Sequence, residues 1–218
     1  MTSRRLLPAL AAIVGLSGCA GALKHEVSIS PKLRELPVRT ICIFEPRFRE
    51  KIKRPMPADY SEMKPENTAD SARRILGIVT AVMSASLTVD TSCTLAPEAR
   101  EWAAEIATDL SNSRVPLSTK PLSVGVEAVL IIGIRSYGTE NLQTQITPIF
   151  AKPIPIGKAK YEHRVSIQAV LVKPRNGEVL FDALHEVAET RDERSAELLD
   201  DLTRRASELV REAFFPKP

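Results

Sequence analysis

The chain begins with a segment that indicates in which cellular compartment the remaining residues fold. Arg4 and Arg5 are followed by an apolar run over residues 6–16. A run of this length matches the core of a signal peptide and is too short to cross a bilayer as a helix. The sequence therefore predicts an exported protein, with residues 1–18 as the signal peptide.

The apolar run ends in Leu16-Ser17-Gly18-Cys19, which resembles the lipobox of bacterial lipoproteins. The resemblance implies cleavage after Gly18, a diacylglycerol thioether on Cys19, and acylation, as with palmitate, of the new amino terminus. Such chains hold a protein on a membrane at about 0.8 kcal/mol per buried methylene. Ala20 is not the aspartate linked with inner-membrane retention in enteric bacteria, which favours the outer membrane, facing the periplasm. The alternative is an ordinary secretory signal with a chance cysteine.

The mature chain is predicted to be a tethered single domain. Residues 19–37 contain the lipidated cysteine and a tether that serine and proline punctuate. If extended, this tether could reach up to about 60 Å, which would lift the domain clear of the lipid headgroups. Residues 38–216 are long enough for one globular domain with its own core.

Charge and composition exclude some classes of partner. Removing Arg4 and Arg5 takes Lys and Arg from 30 to 28, against 27 Asp and Glu. A nearly neutral chain has no general field for nucleic acid, and aromatic residues make up only 5%, which disfavours stacking platforms. No later apolar run is long enough to span a bilayer, so the acyl chains are the only predicted membrane attachment.

Apolar periodicity predicts an α/β fold. The predicted strands cover residues 38–44, 126–137, 164–172 and 178–187, and the predicted helices cover 68–87, 97–111 and 192–215. The second strand is apolar on both alternating faces, so packed helices should cover both faces of a mixed sheet of about four to five strands. The long C-terminal helix is amphipathic and must dock on the sheet or on a second copy of the chain.

The last two strands are predicted to form a hairpin. The Asn-Gly pair at 176–177 supplies the positive φ angles that a tight turn needs. With Lys173 opposite Glu178, Ser166 faces His185, and such a pair can serve as nucleophile and base. No acid is placed to orient the histidine and no oxyanion loop is evident, so a cross-strand polar pair is the simpler interpretation.

Three stretches and the terminal helix carry a family resemblance. They are the strand VRTICIF, the strand VEAVLIIGIRSYG and the hairpin VLVKPRNGEVLFDA. Together they resemble the α/β fold of small envelope lipoproteins, namely the periplasmic part of the curli secretion lipoprotein CsgG and the penicillin-binding-protein activator LpoB. The resemblance covers about 38–214. It implies a non-catalytic assembly or accessory role and gives no catalytic or cofactor-binding residues to carry over.

Two segments are candidate partner surfaces. The long connection at 46–66 is rich in basic residues and could lie on anionic lipid or an acidic partner, or be a solvated loop. Its basic residues are Arg47, Arg49, Lys51, Lys53 and Arg54. The segment 146–156 is apolar but contains three prolines, so it either presents its side chains to a partner or folds back on the domain. The residues concerned are Ile149, Phe150, Ile154 and Ile156.

Cys42 and Cys93 can either form a disulfide in the oxidising periplasm or act as two buried thiols.

No metal-ligand, nucleotide-loop or hydrolase motif occurs, so the sequence predicts no cofactor and no enzyme. The leading hypothesis is an accessory, assembly or secretion-associated lipoprotein that binds another envelope protein or itself. The alternatives are an auxiliary lipoprotein of an ABC-type lipid transporter, a peptidoglycan-associated regulator and, last, a hydrolase using Ser166 and His185.

Overall fold

The computed structural model describes residues 25–30, 33, 38–49, 68–116, 118–142, 145–146, 154–155 and 157–214. In these residues a mixed sheet lies between helices, which confirms the predicted single α/β domain. The helices are α1 (Thr68–Ser84), α2 (Pro97–Ser111) and α3 (Ala196–Phe214), and a 3₁₀ turn covers Ser92–Leu95. The strands are β1 (His25–Ile29), β2 (Thr40–Ile43), β3 (Arg47–Phe48), β4 (Thr88–Val89), β5 (Ala128–Asn141), β6 (Gln145–Ile146), β7 (Ile154–Pro155), β8 (Tyr161–Lys173) and β9 (Glu178–Arg191).

Seven of the described strands form one sheet in the order β1-β9-β8-β5-β2-β4, and β3 pairs with β5 beyond the end of β2. β5, β8 and β9 are long antiparallel strands, whereas β2 and β4 run parallel to β5. Parallel neighbours cannot be joined by a tight turn and need crossover connections, which α1 and α2 supply. β6 and β7 form a separate two-stranded ribbon in the connection between β5 and β8.

Successive side chains along each strand point to opposite faces of the sheet, so the apolar residues form two cores, one on each face. In β2 and the residue after it, Ile41 and Ile43 pack with α1 and α3, whereas Cys42 and Phe44 pack with α2 on the other face. β5 likewise contributes apolar residues to both cores. A strand that is covered on both faces needs no polar face, so its sequence reads as a continuous apolar run.

α2 lies close against β5 because Gly133 has no side chain. A Cβ atom on Gly133 would lie 2.3 Å from the backbone nitrogen of Ser111 and 2.6 Å from the Cβ of Leu110. Both distances are well below the shortest separations found between non-bonded atoms in proteins. The glycine therefore sets the depth at which the last turn of α2 packs on the sheet.

The start of α3 is fixed by a contact with the sheet. Ser195 caps the helix, since its Oγ accepts a hydrogen bond from the Leu198 N–H at 3.1 Å. The Ser195 N–H in turn donates to Nε2 of the fully buried His163 at 3.0 Å. α3 therefore begins at Ala196, four residues later than the sequence predicted.

The hairpin between β8 and β9 does not keep the predicted register. Lys173 faces Glu178 as predicted, but a β-bulge between Leu171 and Val172 shifts the pairing by one residue along the rest of the strands. Because side chains alternate between the faces of a sheet, a shift of one residue changes which side chains lie side by side.

The turn of this hairpin also differs from the prediction. It spans 174–177, and Gly177 has a φ of 68° whereas Asn176 does not have a positive φ. A Cβ atom on Gly177 would lie 1.8 Å from the carbonyl oxygen of Thr119, whose N–H donates to the Gly177 carbonyl at 2.8 Å. Glycine is required here both for its φ and for the close approach of the neighbouring backbone.

Among the described residues the main sheet has seven strands, whereas four to five were predicted. β3 and β4 have two residues each, too few for a periodic pattern. β1 lies inside the predicted tether at 19–37 and pairs antiparallel with β9. The structure thus places His25–Ile29 in the sheet, ahead of the predicted domain start at residue 38.

Candidate functional site

A crevice opens beyond the carboxyl end of β2, around β3, and the connections that follow β2 and β4 leave toward opposite faces of the sheet. The chain after β2 leads to α1 on one face, and the chain after β4 leads to α2 on the other. Parallel neighbours whose connections diverge leave a gap between them, which is the common ligand position in α/β sheets. We call this gap the switch crevice, and it is the candidate functional site.

Two adjoining cavities of about 420 and 320 Å³ make up the switch crevice. The balance of charge differs between the two cavities, although Glu45 and Arg47 line both. The carboxylates lining the larger cavity are those of Glu45, Glu101 and Glu105. The guanidinium groups lining the smaller cavity are those of Arg47, Arg73 and Arg100. Phe44 and Leu76 give the smaller cavity an apolar wall. This arrangement suits a partner that carries charges of both signs next to an apolar group.

The predicted basic surface is partly at the switch crevice. Arg47 and Arg49 are exposed, and Arg47 lines both cavities. The other predicted residues, Lys51, Lys53 and Arg54, lie outside the described residues. The sequence did not single out Arg73 and Arg100, because on a predicted helix they look like ordinary solvated charges.

Most of the other residues predicted to contact a partner lie outside the residues that the structure describes. Ile149, Phe150 and Ile156 lie outside the described residues, as does Cys19. Ile154 belongs to β7 and pairs with Ile146. Within the described ranges, no helix combines the length and the apolar character needed to cross a membrane.

Ser166 and His185 cannot act together as nucleophile and base. The bulge places Ile167 opposite His185, and Ser166 opposite Glu186. Ser166 and His185 therefore point to opposite faces of the sheet. The predicted cross-strand pairing of these two residues is wrong, and the hydrolase hypothesis that depended on it loses its site.

A polar network joins the end of α2 to the sheet. Ser113 has a left-handed φ of 67°, and its Oγ accepts a hydrogen bond from Nε of Arg135 at 2.9 Å. Arg135 also donates to Gln168, which is 4% exposed and donates to Asp182. Burial raises the pKa of Asp182 and lowers that of Arg135. The sequence signal was that Gln168 and Asp182 interrupt apolar strands, and the contacts indicate a structural role.

Cys42 and Cys93 lie side by side beneath α2. The structure joins their sulfur atoms as a disulfide, with the Cα atoms 6.1 Å apart, within the usual range for such bonds. The Cys93 sulfur also lies 3.2 Å from the Asp90 carbonyl oxygen, where a free thiol would donate a hydrogen bond. Oxidation itself stays a prediction, because the same site accommodates two thiols.

His185 is held neutral at the edge of the helix-covered core. Its Nδ1 lies 3.0 Å from Nδ1 of His25 on β1, while its Nε2 is buried without a hydrogen-bond partner. Burial, and to a lesser extent the charge of His25, lowers the pKa of His185 to about 4. A neutral ring fits this environment, because protonation would place a charge on a buried ring whose Nε2 has no hydrogen-bond partner.

Comparisons with known proteins give only distant likenesses. No protein-family model matches this chain, and no curated protein matches it. Among solved structures, the PelC dodecamer from Paraburkholderia phytofirmans is 11% identical, with a TM-score of 0.44, and the match covers 90% of this chain and 100% of that chain. Lipoprotein GNA1162 from Neisseria meningitidis is 16% identical, with a TM-score of 0.41, covering 80% of this chain and 99% of that chain. Protein XCC0632 from Xanthomonas campestris is 13% identical, with a TM-score of 0.42 and 85% coverage of each chain.

Identities and scores this low carry no argument about function. The resemblance to CsgG and LpoB stays a prediction from the sequence.

His185 is expected to make the protein less stable in acid. Its folded pKa of about 4 is below the ordinary value of 6.5, so the unfolded chain takes up the proton first as the pH falls. Stability is fully present above pH 6.5 and is lost between 6.5 and about 4, by at most about 3 kcal/mol. Denaturant unfolding at pH 7.5 and 5.0 should show a loss of about 2 kcal/mol.

The control variants separate His185 from the other acid-sensitive groups. His185→Leu should remove most of this pH dependence, whereas His25→Leu should keep it, because burial is the main cause of the low pKa. Equal pH dependence in the wild type and in His185→Leu would show that His185 does not control acid stability.

Proposed function

We propose that this protein is a bacterial envelope lipoprotein that is anchored through acyl chains on Cys19 and binds another envelope protein, or further copies of itself, without catalysing a reaction. The signal segment and lipobox support the anchor. The observation that carries the binding role is the switch crevice, in which acidic and basic halves adjoin an apolar wall. The proposed division keeps residues 1–18 as signal peptide and starts the domain at β1.

The switch crevice is shaped for recognition by charge. Arg47 is exposed and contributes to both cavities, as does Glu45, and α1 and α2 supply the other charges from opposite faces of the sheet. Charges placed at the edge of an interface determine which partner binds and in which register, because like charges brought together repel. A partner that presents both a positive and a negative group would therefore bind in preference to a partner whose charges are all of one sign.

Site-directed crosslinking in cells tests the binding role. A photoreactive side chain replaces Arg47 in the full-length, C-terminally tagged protein, and adducts are identified by mass spectrometry. We expect one dominant envelope protein, or a second copy of this chain. The matched control places the same side chain at Arg175, which is exposed in the turn at the other end of the sheet and should give no such adduct.

Charge reversal ties the adduct to the switch crevice. Arg73→Glu with Arg100→Glu should lower the yield of the Arg47 adduct about tenfold, whereas Arg204→Glu on the exposed face of α3 should leave it unchanged. Equal adducts at positions 47 and 175, or a yield that the charge reversal does not change, would show that the crevice is not the binding surface.

The anchor is tested separately. Mass spectrometry of the mature protein should find an amino-terminal peptide that begins at Cys19 and carries acyl chains. Cys19→Ser should move the protein from the membrane fraction to the soluble fraction, because each lost acyl chain removes about 0.8 kcal/mol per methylene. Density fractionation of the wild type should place it with the outer membrane. An unmodified amino terminus would overturn the lipoprotein assignment.

A further inference from the structure

The long strands of the sheet have two different ends. At one end lies the turn at 174–177 that joins β8 to β9. At the other end, β5 finishes at Asn141, β8 begins at Tyr161 and β9 finishes at Arg191, in one row. We call this second end the strand tip, and it includes the neighbouring Leu142.

The amino-terminal strand enters the sheet on the side of the strand tip. His25 pairs with His185, which lies opposite Ile167. β1 runs from this row toward the turn at 174–177, so its amino end at His25 is the end nearer the strand tip. From the row of His25 to the strand tip, β8 and β9 extend about 20 Å at 3.3 Å per residue.

The distance from Cys19 to His25 is limited by the length of the chain. The residues that join them span at most about 22 Å even when fully extended. The tether predicted from sequence reached up to about 60 Å, because it included the residues that form β1. Acyl chains on Cys19 thus cannot hold the domain far from the bilayer, and Cys19 can extend no farther than about the level of the strand tip.

We propose that the strand tip contacts the surface of the bilayer into which the acyl chains of Cys19 insert. This inference rests on the lipid anchor of the proposed function. With the strands pointing at the membrane, a connection of at most about 22 Å keeps the strand tip close to the lipid headgroups, and the connection that carries β6 and β7 leaves the sheet at this end.

The side chains at the strand tip suit a membrane interface. Leu142 is 46% exposed, one of the three large apolar side chains most exposed among the described residues. Tyr161 is half-buried, with the guanidinium of Arg194 5.4 Å from its ring centre. Tyrosine beside an apolar residue is the composition of membrane interfaces, where a ring sits at the headgroup level. Glu140 and Lys160 give the strand tip both signs of charge, so contact does not require anionic lipid.

Lipid quenching of a site-specific fluorophore tests the orientation. A fluorescent amino acid replaces Leu142 in the acylated full-length protein, reconstituted in phosphatidylcholine–phosphatidylethanolamine vesicles whose acyl chains carry a quencher near the headgroup. The fluorophore should lose about half of its emission, as expected for a group at the boundary of headgroups and acyl chains. The same fluorophore at Arg175 should keep its emission. The loss at Leu142 should persist in high salt, since apolar contact is not screened.

Each outcome bears on the proposal. Quenching at Leu142 and not at Arg175 supports it. Quenching at Val27 on the outer edge of β1, without quenching at Leu142, would show that the domain lies edge-on and would overturn it. No quenching at any of these positions, in protein whose acylated Cys19 peptide is found by mass spectrometry, would overturn the orientation and leave the lipid anchor standing. Absence of the acylated peptide would overturn the anchor and the orientation together.

Discussion

Replacing Gly133 with alanine is expected to lower the free energy of unfolding by roughly 3 to 5 kcal/mol. The new Cβ would overlap the backbone nitrogen of Ser111 at 2.3 Å and the Cβ of Leu110 at 2.6 Å. Backbone atoms in the last turn of a helix cannot turn aside as the end of a flexible side chain can. The last turn of α2 must therefore move away from β5, which opens the core around Leu110, a side chain with no exposed surface.

Urea unfolding of Gly133→Ala and of Gly77→Ala measures this effect against a matched control. Gly77 lies in the exposed part of α1, and no atom lies within 4 Å of the position its Cβ would occupy. Alanine there should raise stability by about 0.5–1 kcal/mol, because it favours helix and restricts the unfolded chain. If both alanines changed stability by similar small amounts, α2 would not be seated on Gly133 as the structure describes.

The long elements were predictable because their patterns are local. α2 spans Pro97–Ser111 as predicted, since proline suits the first helical position and the apolar stripe repeats with helical spacing. β5, β8 and β9 were predicted within a few residues at each end, because each contains a long apolar run that is visible in the local sequence. The α/β class followed from their order.

The strands that the sequence did not predict depend on contacts between residues that are far apart in the sequence. β1 has the sequence HEVSI, most of it exposed, and it becomes a strand only by pairing with β9. The bulge between Leu171 and Val172 has no local sequence signal comparable to a glycine or proline. That bulge decides whether Ser166 and His185 share a face, so a site argued from the hairpin sequence alone had to fail.

The switch crevice was not predicted because it is a property of topology. Its residues come from β3 and the chain that joins it to β2, and from α1 and α2, and they meet only because the two helices cover opposite faces. The sequence order did not determine on which face each helix packs. Arg47 was singled out as part of a basic loop, but its acidic and basic neighbours in the crevice were not.

Reduction of the Cys42–Cys93 disulfide is expected to cost about 4 kcal/mol of stability in the chain-entropy model, for a sequence separation of 51 residues. The bond would link β2 to the 3₁₀ turn before α2, so it closes a loop that contains all of α1. Reduction would let this loop expand in the unfolded chain and so favour unfolding.

Denaturant unfolding with and without reductant measures the difference. The wild type should lose stability in reductant, whereas the double variant Cys42→Ala with Cys93→Ala should unfold identically in both conditions. Alanine is preferred to serine because Cys42 has no exposed surface, and a buried hydroxyl would need a hydrogen-bond partner. The double variant itself should be less stable than the oxidised wild type.

Thiol alkylation decides between the disulfide and two buried thiols. In the proposed mature protein the Cys19 sulfur is a thioether, so alkylation after unfolding reports on Cys42 and Cys93 alone. A disulfide gives no labelled cysteine until reductant is added. Two labels without reductant, together with unfolding that reductant does not change, would mean that the 3.2 Å contact from Cys93 to the Asp90 carbonyl is a thiol hydrogen bond. The pair would then act as two small apolar groups, and the stability of this part of the core would come from packing alone.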